Sequence, residues 1–415
     1  MTEPRFRTAL VIGAGVIGVS SALALRRRGL EVCLVDPSPV ANGCSFGNAG
    51  VFGSILIPLS SGQSLRSIAG LFLSKTSPAT IDAASLPGLA SWGRQFLKAT
   101  APDRVRSGTV VLHDLCRQSI AAYRHLLDDP DLMADRPGCL HAFLSPQEAA
   151  AADPLIRHKQ DIGVNIRKLT AAEVGTLEPS LAGVTQGATI MADAGHTPDP
   201  KGFVERLASV FTALGGKIVR DRIVELKAHP TFPTVAVGEK DCYPADCVVI
   251  ATGSRVNDLT RPLGYKLPLI AERGYHVEIE LAAGVLTRPV IFPSTGAVLT
   301  PSVQGTRLVG LSHFGPPGVK ARPELLKQLL ARTSSGVLPM RVRDAAEVWS
   351  GERPTTPDSV PVIDRLPRHP NIVVNTGHGH GGLTLGGISG RLAADLLLGQ
   401  GGPLLDALSA RRFVR

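Results

Sequence analysis

The stretch TALVIGAGVIGVSSALALRRRGLEVCLVD, residues 8–36, carries three glycines in the spacing G-x-G-x-x-G: Gly13, Gly15 and Gly18. They follow a β-type apolar run and precede a helical pattern that Gly29 stops, and a second β-type run then ends at Asp36. Such glycines permit a tight turn and let a pyrophosphate approach a helix N-terminus, while an acidic residue ending the second strand binds a ribose hydroxyl. The complete unit predicts a Rossmann-like dinucleotide-binding fold.

Together with Arg5 and Arg7, which precede it, the same stretch also has the parts of a secretory signal, namely a basic start, an apolar run and a small-residue triplet at 22–24. Three arginines at 26–28 follow at once, and clustered positive charge tends to stay on the cytoplasmic side. The glycines lie in the context that the nucleotide motif requires. We therefore expect a cytoplasmic protein, with the inner face of the membrane as the alternative location.

The composition is that of a globular protein of about two domains. The 415 residues are 44% apolar, and no other apolar run approaches the roughly 20 residues that cross a bilayer. Six cysteines without a C-x-x-C pair suit a reduced compartment. The net charge of +9 would attract a carboxylate substrate or an acidic membrane surface, or serve solubility alone. Aromatic residues at 4% argue against nucleic-acid binding.

A second α/β unit begins at Asp199, which can cap a helix whose first residue is Pro200. Strand patterns follow it, the last of them at 247–250. Because this unit has no phosphate-binding glycines of its own, we expect it to complete the first sheet. The nucleotide-binding domain is then discontinuous in sequence.

The pattern between about 259 and 344 is β-like. Side chains alternate at 274–280, and a hairpin is expected around Gln304-Gly305. An antiparallel sheet inserted into a nucleotide-binding fold would form a wall of a substrate cavity. We therefore expect an α/β fold with a Rossmann-like domain and an α+β substrate-binding domain built on an antiparallel sheet. The first would comprise residues 1–85, 198–258 and 345–415, and the second 86–197 and 259–344.

A glycine-rich turn, TGHGHGGLTLGG at 376–387, separates a strand from a helix predicted from about 388 to 398. Bare backbone lets a flat ring approach closely, and the helix N-terminus would stabilise negative charge on a reduced flavin. A flexible surface turn is the alternative. His378 and His380 lack a third ligand at matching spacing, so we expect no metal.

Two further segments are candidates for binding. Arg353, next to Pro354, has the planar fork that matches two carboxylate oxygens, although a surface ion pair with Glu352 or Asp358 would explain it equally well. Small and amide residues at 42–50 could line a cofactor, or form only a turn.

Together these motifs resemble the FAD-dependent D-amino-acid oxidase superfamily, which includes glycine and sarcosine oxidases. The resemblance spans nearly the whole chain and rests on the N-terminal fingerprint, SFGNAG at 45–50, VIATG at 249–253, GERPTTPD at 351–358 and GHGH at 377–380. The second and last of these are most similar to the bacterial D-amino-acid dehydrogenase branch. The resemblance implies FAD as the cofactor.

The resemblance also implies roles for individual residues. Arg353 falls where the family binds the substrate carboxylate. His378 is a candidate for orienting the amine or the product, and Tyr275 is a candidate to take the place of a carboxylate-binding tyrosine, with packing as its alternative. The cofactor-binding residues that it implies are Gly13, Gly15, Val16, Ile17, Gly18, Asp36, Pro37, Ser45, Asn48, Ala49, Gly50, Ile223, Val224, Ala251, Thr252, Gly253, Gly379, His380, Gly381, Gly382, Leu383 and Thr384. Gly351 stands where sarcosine oxidases carry a flavin-linking cysteine, so non-covalent FAD is expected.

The activity implied is oxidation of a D-amino acid or a cyclic imino acid of the proline or hydroxyproline type, with hydride transfer to flavin and electrons passing to a non-oxygen acceptor such as a quinone. A sarcosine- or glycine-type oxidase that uses oxygen is the first alternative. The others are a flavin-carrying subunit of a hetero-oligomer, and an NAD-dependent dehydrogenase, which would leave the C-terminal glycine turn unexplained.

Overall fold

A computed structural model describes residues 6–62, 79–81, 85–229, 233–282, 284–336 and 338–413 of the chain. The stretch that opens the sequence forms β1 (Thr8–Ile12), α1 (Val16–Arg27) and β2 (Glu31–Asp36), and β1 and β2 are parallel neighbours. The predicted strand–glycine–helix–strand unit is therefore confirmed.

A six-stranded sheet contains this unit. In spatial order its strands are β20 (Val362–Leu366), β21 (His369–Thr376), β13 (Cys247–Ile250), β1, β2 and β9 (Lys217–Arg220). All neighbours are parallel except β20 and β21, which form an antiparallel hairpin. The second α/β unit thus completes the first sheet, but only through β9 and β13.

Helices cover one face of this sheet and a small antiparallel sheet covers the other. The helices are α1, α3 (Pro102–Leu127), α7 (Pro200–Ala213) and α10 (Gly382–Leu397), and the small sheet consists of β10 (Ile223–Lys227), β11 (Thr234–Gly238) and β12 (Cys242–Ala245). Along β1, Ala9 and Val11 belong to the core on the helical side, whereas Leu10 and Ile12 belong to the core on the other. Alternating strand side chains account for both cores.

The second large sheet has ten strands and is mostly antiparallel. Its main path is β18 (Met340–Val342), β14 (Ile270–Leu281), β17 (Gly305–Gly315), β16 (Ala297–Ser302), β15 (Val290–Phe292), β5 (Cys139–Ala142), β7 (Ala188–Met191) and β6 (Ile166–Leu169). The predicted hairpin around Gly305 joins β16 to β17. Helix α9 (Pro323–Gly336) packs on the face that contains Tyr275, Val277 and Ile279, all buried.

Shorter elements complete the fold. They are β3 (Val51–Phe52), β8 (Gly195–His196), α2 (Leu86–Ala99), α4 (Pro146–Ala151), α5 (Asp153–Asp161), α6 (Ala171–Leu177), α8 (Val256–Thr260) and α11 (Pro403–Leu408). Within the described ranges, every helix is too short or too polar to cross a membrane.

Three elements depart from the predicted domain boundaries. Helix α3, expected in the substrate-binding domain, packs in the core against α10, and its Tyr123 hydroxyl donates a hydrogen bond to Leu383 O at 2.8 Å. Strands β4 (Ala79–Ile81) and β19 (Trp349–Thr355), expected with the nucleotide-binding segments, pair with β17 and β14 of the ten-stranded sheet. Sequence position alone did not show these pairings, because each partner lies far away along the chain.

The glycine-rich turn is shorter than predicted, because α10 begins at Gly382 rather than near 388. A Cβ on Gly387 would lie 2.9 Å from the Tyr123 ring, and one on Gly390 would lie 2.5 Å from Ser20 backbone. These glycines therefore let α10 pack closely against α3 and α1. Only the residues before Gly382 form the turn and its short 3₁₀ segment, Gly379–Gly381.

Candidate cofactor and substrate site

A cavity of about 1220 Å³ lies between the two large sheets. The carboxyl ends of β1, β2, β13 and β21 line one side of it, and a face of the ten-stranded sheet lines the other. Ligands of open α/β sheets bind beyond the carboxyl ends of the parallel strands. The cavity is thus where the fold predicts a dinucleotide to lie.

The fingerprint glycines are held by close backbone packing. Gly13 has φ +107°, and a Cβ there would lie 2.5 Å from Ala251 O. A Cβ on Gly18 would lie 1.7 Å from Gly13 O. Asp36 lines the cavity and accepts a hydrogen bond from Ala14 N at 2.7 Å, so it also fixes the turn. Any larger residue at the two glycines would force this turn open.

All but three of the predicted cofactor-binding residues line the cavity; the exceptions are Gly18, Gly50 and Gly381. Gly50 has φ +74°, and a Cβ there would lie 2.0 Å from Thr197 O. A Cβ on Gly381 would lie 2.4 Å from Leu56 Cδ1. These three glycines shape the wall and do not themselves face the cavity.

The cavity wall has polar groups that fit a large polar ligand such as FAD. Five buried side-chain atoms of residues on the wall have no hydrogen-bond partner among the described residues: Thr252 Oγ1, Asn375 Oδ1, His378 Nδ1, His141 Nε2 and Arg273 Nε. The N-termini of α1 and α10 both lie at the cavity and supply N–H groups with positive potential. His378 Nε2 is 2.8 Å from Ser389 Oγ, and burial lowers the pKa of His378 to about 3, which leaves the ring neutral.

Arg353 projects from β19 to the same cavity and is held by a fully buried carboxylate. Its Nη1 and His380 Nε2 lie 3.4 and 2.9 Å from Glu272 Oε1. Thr355 Oγ1 donates a hydrogen bond to the other carboxylate oxygen at 2.8 Å. Burial opposes ionisation of Glu272, but His380, Arg353 and the Ser312 hydroxyl outweigh it and keep its pKa well below the usual value. Glu272 is therefore an anion that fixes the guanidinium.

An irregular pairing of β14 with β17 creates the space that the Arg353 guanidinium occupies. The register shifts between Arg273 and Tyr275, and Leu311 opposite has φ 69°, which is unusual for a branched residue. Leu311 O accepts a hydrogen bond from Arg353 Nη1 at 3.2 Å. A Cβ on Gly274 would lie 2.0 Å from Arg353 Nη2. Gly274 is therefore the residue that leaves room for the guanidinium.

The position of Tyr275 does not support the catalytic role predicted for it. It is 1% exposed, lies in the core between the ten-stranded sheet and α9, and does not line the cavity. Its hydroxyl is 2.9 Å from His313 Nδ1 and accepts a hydrogen bond from Arg322 N. Strand alternation turns it away from Arg353, so the packing alternative describes its position.

Sequence reasoning missed several residues that the structure brings to the site. Glu272 and Gly274 lie in β14 outside every motif, and Lys159 and His141 lie on elements remote in sequence from every motif. For Glu272, the available signal in the sequence was a charged residue within a predicted strand. Within the described part of the chain, no cluster of three or more metal-ligating side chains occurs.

Comparison with known proteins agrees with this geometry. A D-amino-acid oxidase of Bradyrhizobium diazoefficiens is 30% identical over 410 residues, 96% of this chain and 96% of that protein. A D-amino acid dehydrogenase of Dechloromonas aromatica is 28% identical over 407 residues, 94% of this chain and 97% of that protein. Glycine oxidase from Geobacillus kaustophilus has a similar fold, with a TM-score of 0.72 at 21% identity, covering 96% of both chains.

These matches confirm the resemblance, the α/β fold and the FAD cofactor that the motifs predicted. The profile of the FAD dependent oxidoreductase family, DAO, matches residues 8–396. The chain therefore belongs to that family and is an FAD-dependent oxidoreductase of amino acids.

Proposed function

We propose that the protein oxidises a D-amino acid, or a cyclic imino acid of the proline or hydroxyproline type, at the bond between Cα and nitrogen. The observation that carries the proposal is the Arg353 guanidinium, which lines the cavity with its position fixed by Glu272 and Leu311 O. A planar guanidinium matches a carboxylate with two parallel hydrogen bonds. The apolar side chains of Val298 and Val309 on the same wall suit the rest of such a substrate.

The chain's own residues position the substrate. Arg353 binds the carboxylate, and the sheet face beside it excludes water from the reacting carbon. FAD, when bound, supplies the acceptor for the hydride that leaves Cα. Positioning contributes much of the rate in such a reaction, so a strong base is not required. The neutral His378 ring has an acceptor nitrogen available for the amine.

The overall reaction is balanced by the loss of two hydrogens. Cα loses a hydride and the nitrogen loses a proton, so a carbon–nitrogen double bond forms as the amine is oxidised. Water then adds to the imine of a primary amino acid and releases ammonia and a keto acid. A cyclic imino acid would give a cyclic imine instead.

Non-covalent binding of FAD is supported by the surroundings of residue 351. A Cβ on Gly351 would lie 2.3 Å from the Trp349 ring, so a linking cysteine has no room there. Burial raises the pKa of the nearby Cys44 to about 11, so its thiol is protonated and unreactive. Denaturation in acid should release all the flavin into the supernatant.

The test is anaerobic bleaching of the flavin by a panel of amino acids. The panel contains D- and L-isomers, D-proline, hydroxyproline isomers, glycine and sarcosine. We expect bleaching by D-amino or imino acids and a rise of about 100-fold in KM for Arg353→Ala with flavin binding retained. Bleaching by glycine or sarcosine alone would favour the oxidase alternative, and no bleaching by any compound would favour a flavin-carrying subunit.

For the electron acceptor we infer a non-oxygen compound such as a quinone, and hence a cytoplasmic enzyme that contacts the inner membrane face. The net charge of +9 supports contact with acidic lipid. Reduced enzyme should be reoxidised faster by a soluble quinone than by air-saturated buffer. Faster reoxidation by oxygen, with hydrogen peroxide formed, would contradict this inference.

A further inference from the structure

Lys159 is a buried lysine that has no counter-charge among the residues that the structure describes. Helix α5 turns Ile156 and Lys159 to the interior, where Lys159 is 4% exposed and lines the cavity. Its ammonium group forms no hydrogen bond or ion pair with any residue that the structure describes. Lysine is almost never fully buried unless it is paired. This buried position therefore carries a charge that no residue in the described part of the chain neutralises.

His141 lies beside Lys159 on the same wall. It projects from β5, and its Nε2 is buried without a hydrogen-bond partner among the described residues. Burial, and then the charge of Lys159, lower the pKa of His141 to about 3, while burial lowers the pKa of Lys159. The imidazole is thus a neutral hydrogen-bonding group beside a cation, and such a pair suits an anion.

An apolar row joins this pair to Arg353 across the sheet. His141 is aligned with Ile291, Ile291 with Val298, and Val298 with Val309, on β5, β15, β16 and β17 in turn. Ile291, Val298 and Val309 all line the cavity. Strand β17 also carries the Leu311 carbonyl that holds Arg353. The wall therefore has a cation at each end and apolar side chains between them.

The strand spacing sets the approximate length of this row, from His141 on β5 to the stretch of β17 whose Leu311 carbonyl contacts Arg353. Three intervals of about 4.8 Å separate β17 from β5, which makes about 14 Å. Charge-assisted contacts take about 3 Å at each end. The roughly 8 Å that remain correspond to an extended chain of about six carbons.

We propose that Lys159 and His141 form a second anion-binding site in the substrate pocket, and that the substrate is an amino acid whose side chain ends in a carboxylate after an apolar spacer, as in 2-aminoadipate. This inference rests on the proposed function, because it assigns the α-carboxylate to Arg353. The fingerprint of the dinucleotide lies at the N-terminus of α1 on the other large sheet, so the FAD pyrophosphate is not the anion for Lys159.

The first test compares D-2-aminoadipate with D-norleucine, which has a chain of the same length without the terminal charge. The holoenzyme is assayed as wild type, Lys159→Met and Lys159→Arg. We expect the ratio of kcat/KM for the acidic over the neutral substrate to fall about 30-fold or more in Lys159→Met and to be largely kept in Lys159→Arg. An unchanged ratio in Lys159→Met would overturn the proposal, as would a wild type that prefers norleucine.

Lys168→Met is the matched control, because it removes a lysine that is exposed and paired with Asp153. It should leave the ratio unchanged. Since methionine removes a buried charge that pairs with no described residue, Lys159→Met should melt no lower than wild type. An Lys159→Met protein that melts lower and loses both substrates equally would show that Lys159 acts in folding, which also overturns the proposal.

The second test measures binding without turnover. Adipate and hexanoate are titrated into the holoenzyme, and the flavin absorbance reports binding. Wild type should bind adipate at least tenfold more tightly than hexanoate, and Lys159→Met should lose that preference. If wild type oxidises no amino acid yet shows this preference, the proposed function fails and the anion site stands. If wild type oxidises amino acids but does not prefer adipate to hexanoate, the anion site is refuted and the proposed function stands.

Discussion

Replacing Gly274 by alanine should displace the guanidinium of Arg353 without disturbing the fold. The added Cβ would lie 2.0 Å from Arg353 Nη2 and 2.2 Å from Cζ. Carbon contacts are favourable near 3.5 Å, so the guanidinium must recede by about 1.5 Å. Gly274 is not among the residues with positive φ, so alanine suits its backbone. The strain therefore falls on one flexible side chain.

The size of the effect follows from that displacement. A misplacement of about 1 Å in a binding group costs about 100-fold in rate. We therefore expect kcat/KM of Gly274→Ala to fall about 100-fold, equal to about 2.7 kcal/mol of transition-state stabilisation. The flavin spectrum and the melting temperature should stay close to those of wild type, since alanine in a strand costs less backbone entropy than glycine.

The assay is steady-state oxidation of the best D-amino acid by holoenzyme, with flavin content measured in each sample. Gly93→Ala is the control, because a Cβ there would contact nothing within 4 Å. A Gly274→Ala enzyme that keeps kcat/KM within threefold of wild type would show that the carboxylate does not bind where Arg353 now lies. Loss of flavin from the variant would instead show that the clash reaches the cofactor.

Three further predictions test the site's supporting contacts. Tyr275→Phe should lower the free energy of unfolding in urea by about 1–2 kcal/mol, because two hydrogen bonds are lost, and should leave kcat/KM unchanged; a large fall in kcat/KM would restore its catalytic role. Glu272→Gln should lower the free energy of unfolding by about 1–3 kcal/mol, because the partly buried Arg353 guanidinium loses the carboxylate that pairs with it, and an unchanged urea midpoint would contradict this. His276 and His378 are buried and their pKa values are lowered to about 3. Below pH 6.5 the unfolded chain binds protons that the folded chain does not, so stability should fall from pH 6.5 toward 3, by up to about 1.4 kcal/mol per pH unit for each histidine; urea midpoints that are equal at pH 7.5 and 5.5 would refute it.

Short-range patterns predicted much of the architecture. The strand, glycine turn, helix and second strand at 8–36 follow from residues at most a few turns apart, and so does the β16–β17 hairpin. The cap of α7 is equally local, since Asp199 accepts a hydrogen bond from Gly202 N at 2.8 Å. Each depends on backbone conformation and on side-chain period, which neighbouring residues determine.

Long-range packing decided the rest. Gly386 and Gly387 were predicted to belong to a turn that a flat ring approaches, but they instead make room for the Tyr123 ring, which no local pattern encodes. Tyr275 was placed on the correct face of β14, but only the position of α9 shows that this face is turned from the cavity. The sequence determined which side chains lie on the same face of a strand. The tertiary structure determined which element packs against that face.

The sequence by itself determined that this chain binds a dinucleotide, because a pyrophosphate needs glycines and a helix N-terminus that are close together along the chain. Only the tertiary structure decided how the substrate end is built. Glu272, Gly274 and Arg353 meet through pairing of β14 with β19, and Lys159 comes to the same cavity from α5. A buried charge depends on partners that folding brings together from distant parts of the chain, so its role can be read only from the tertiary structure.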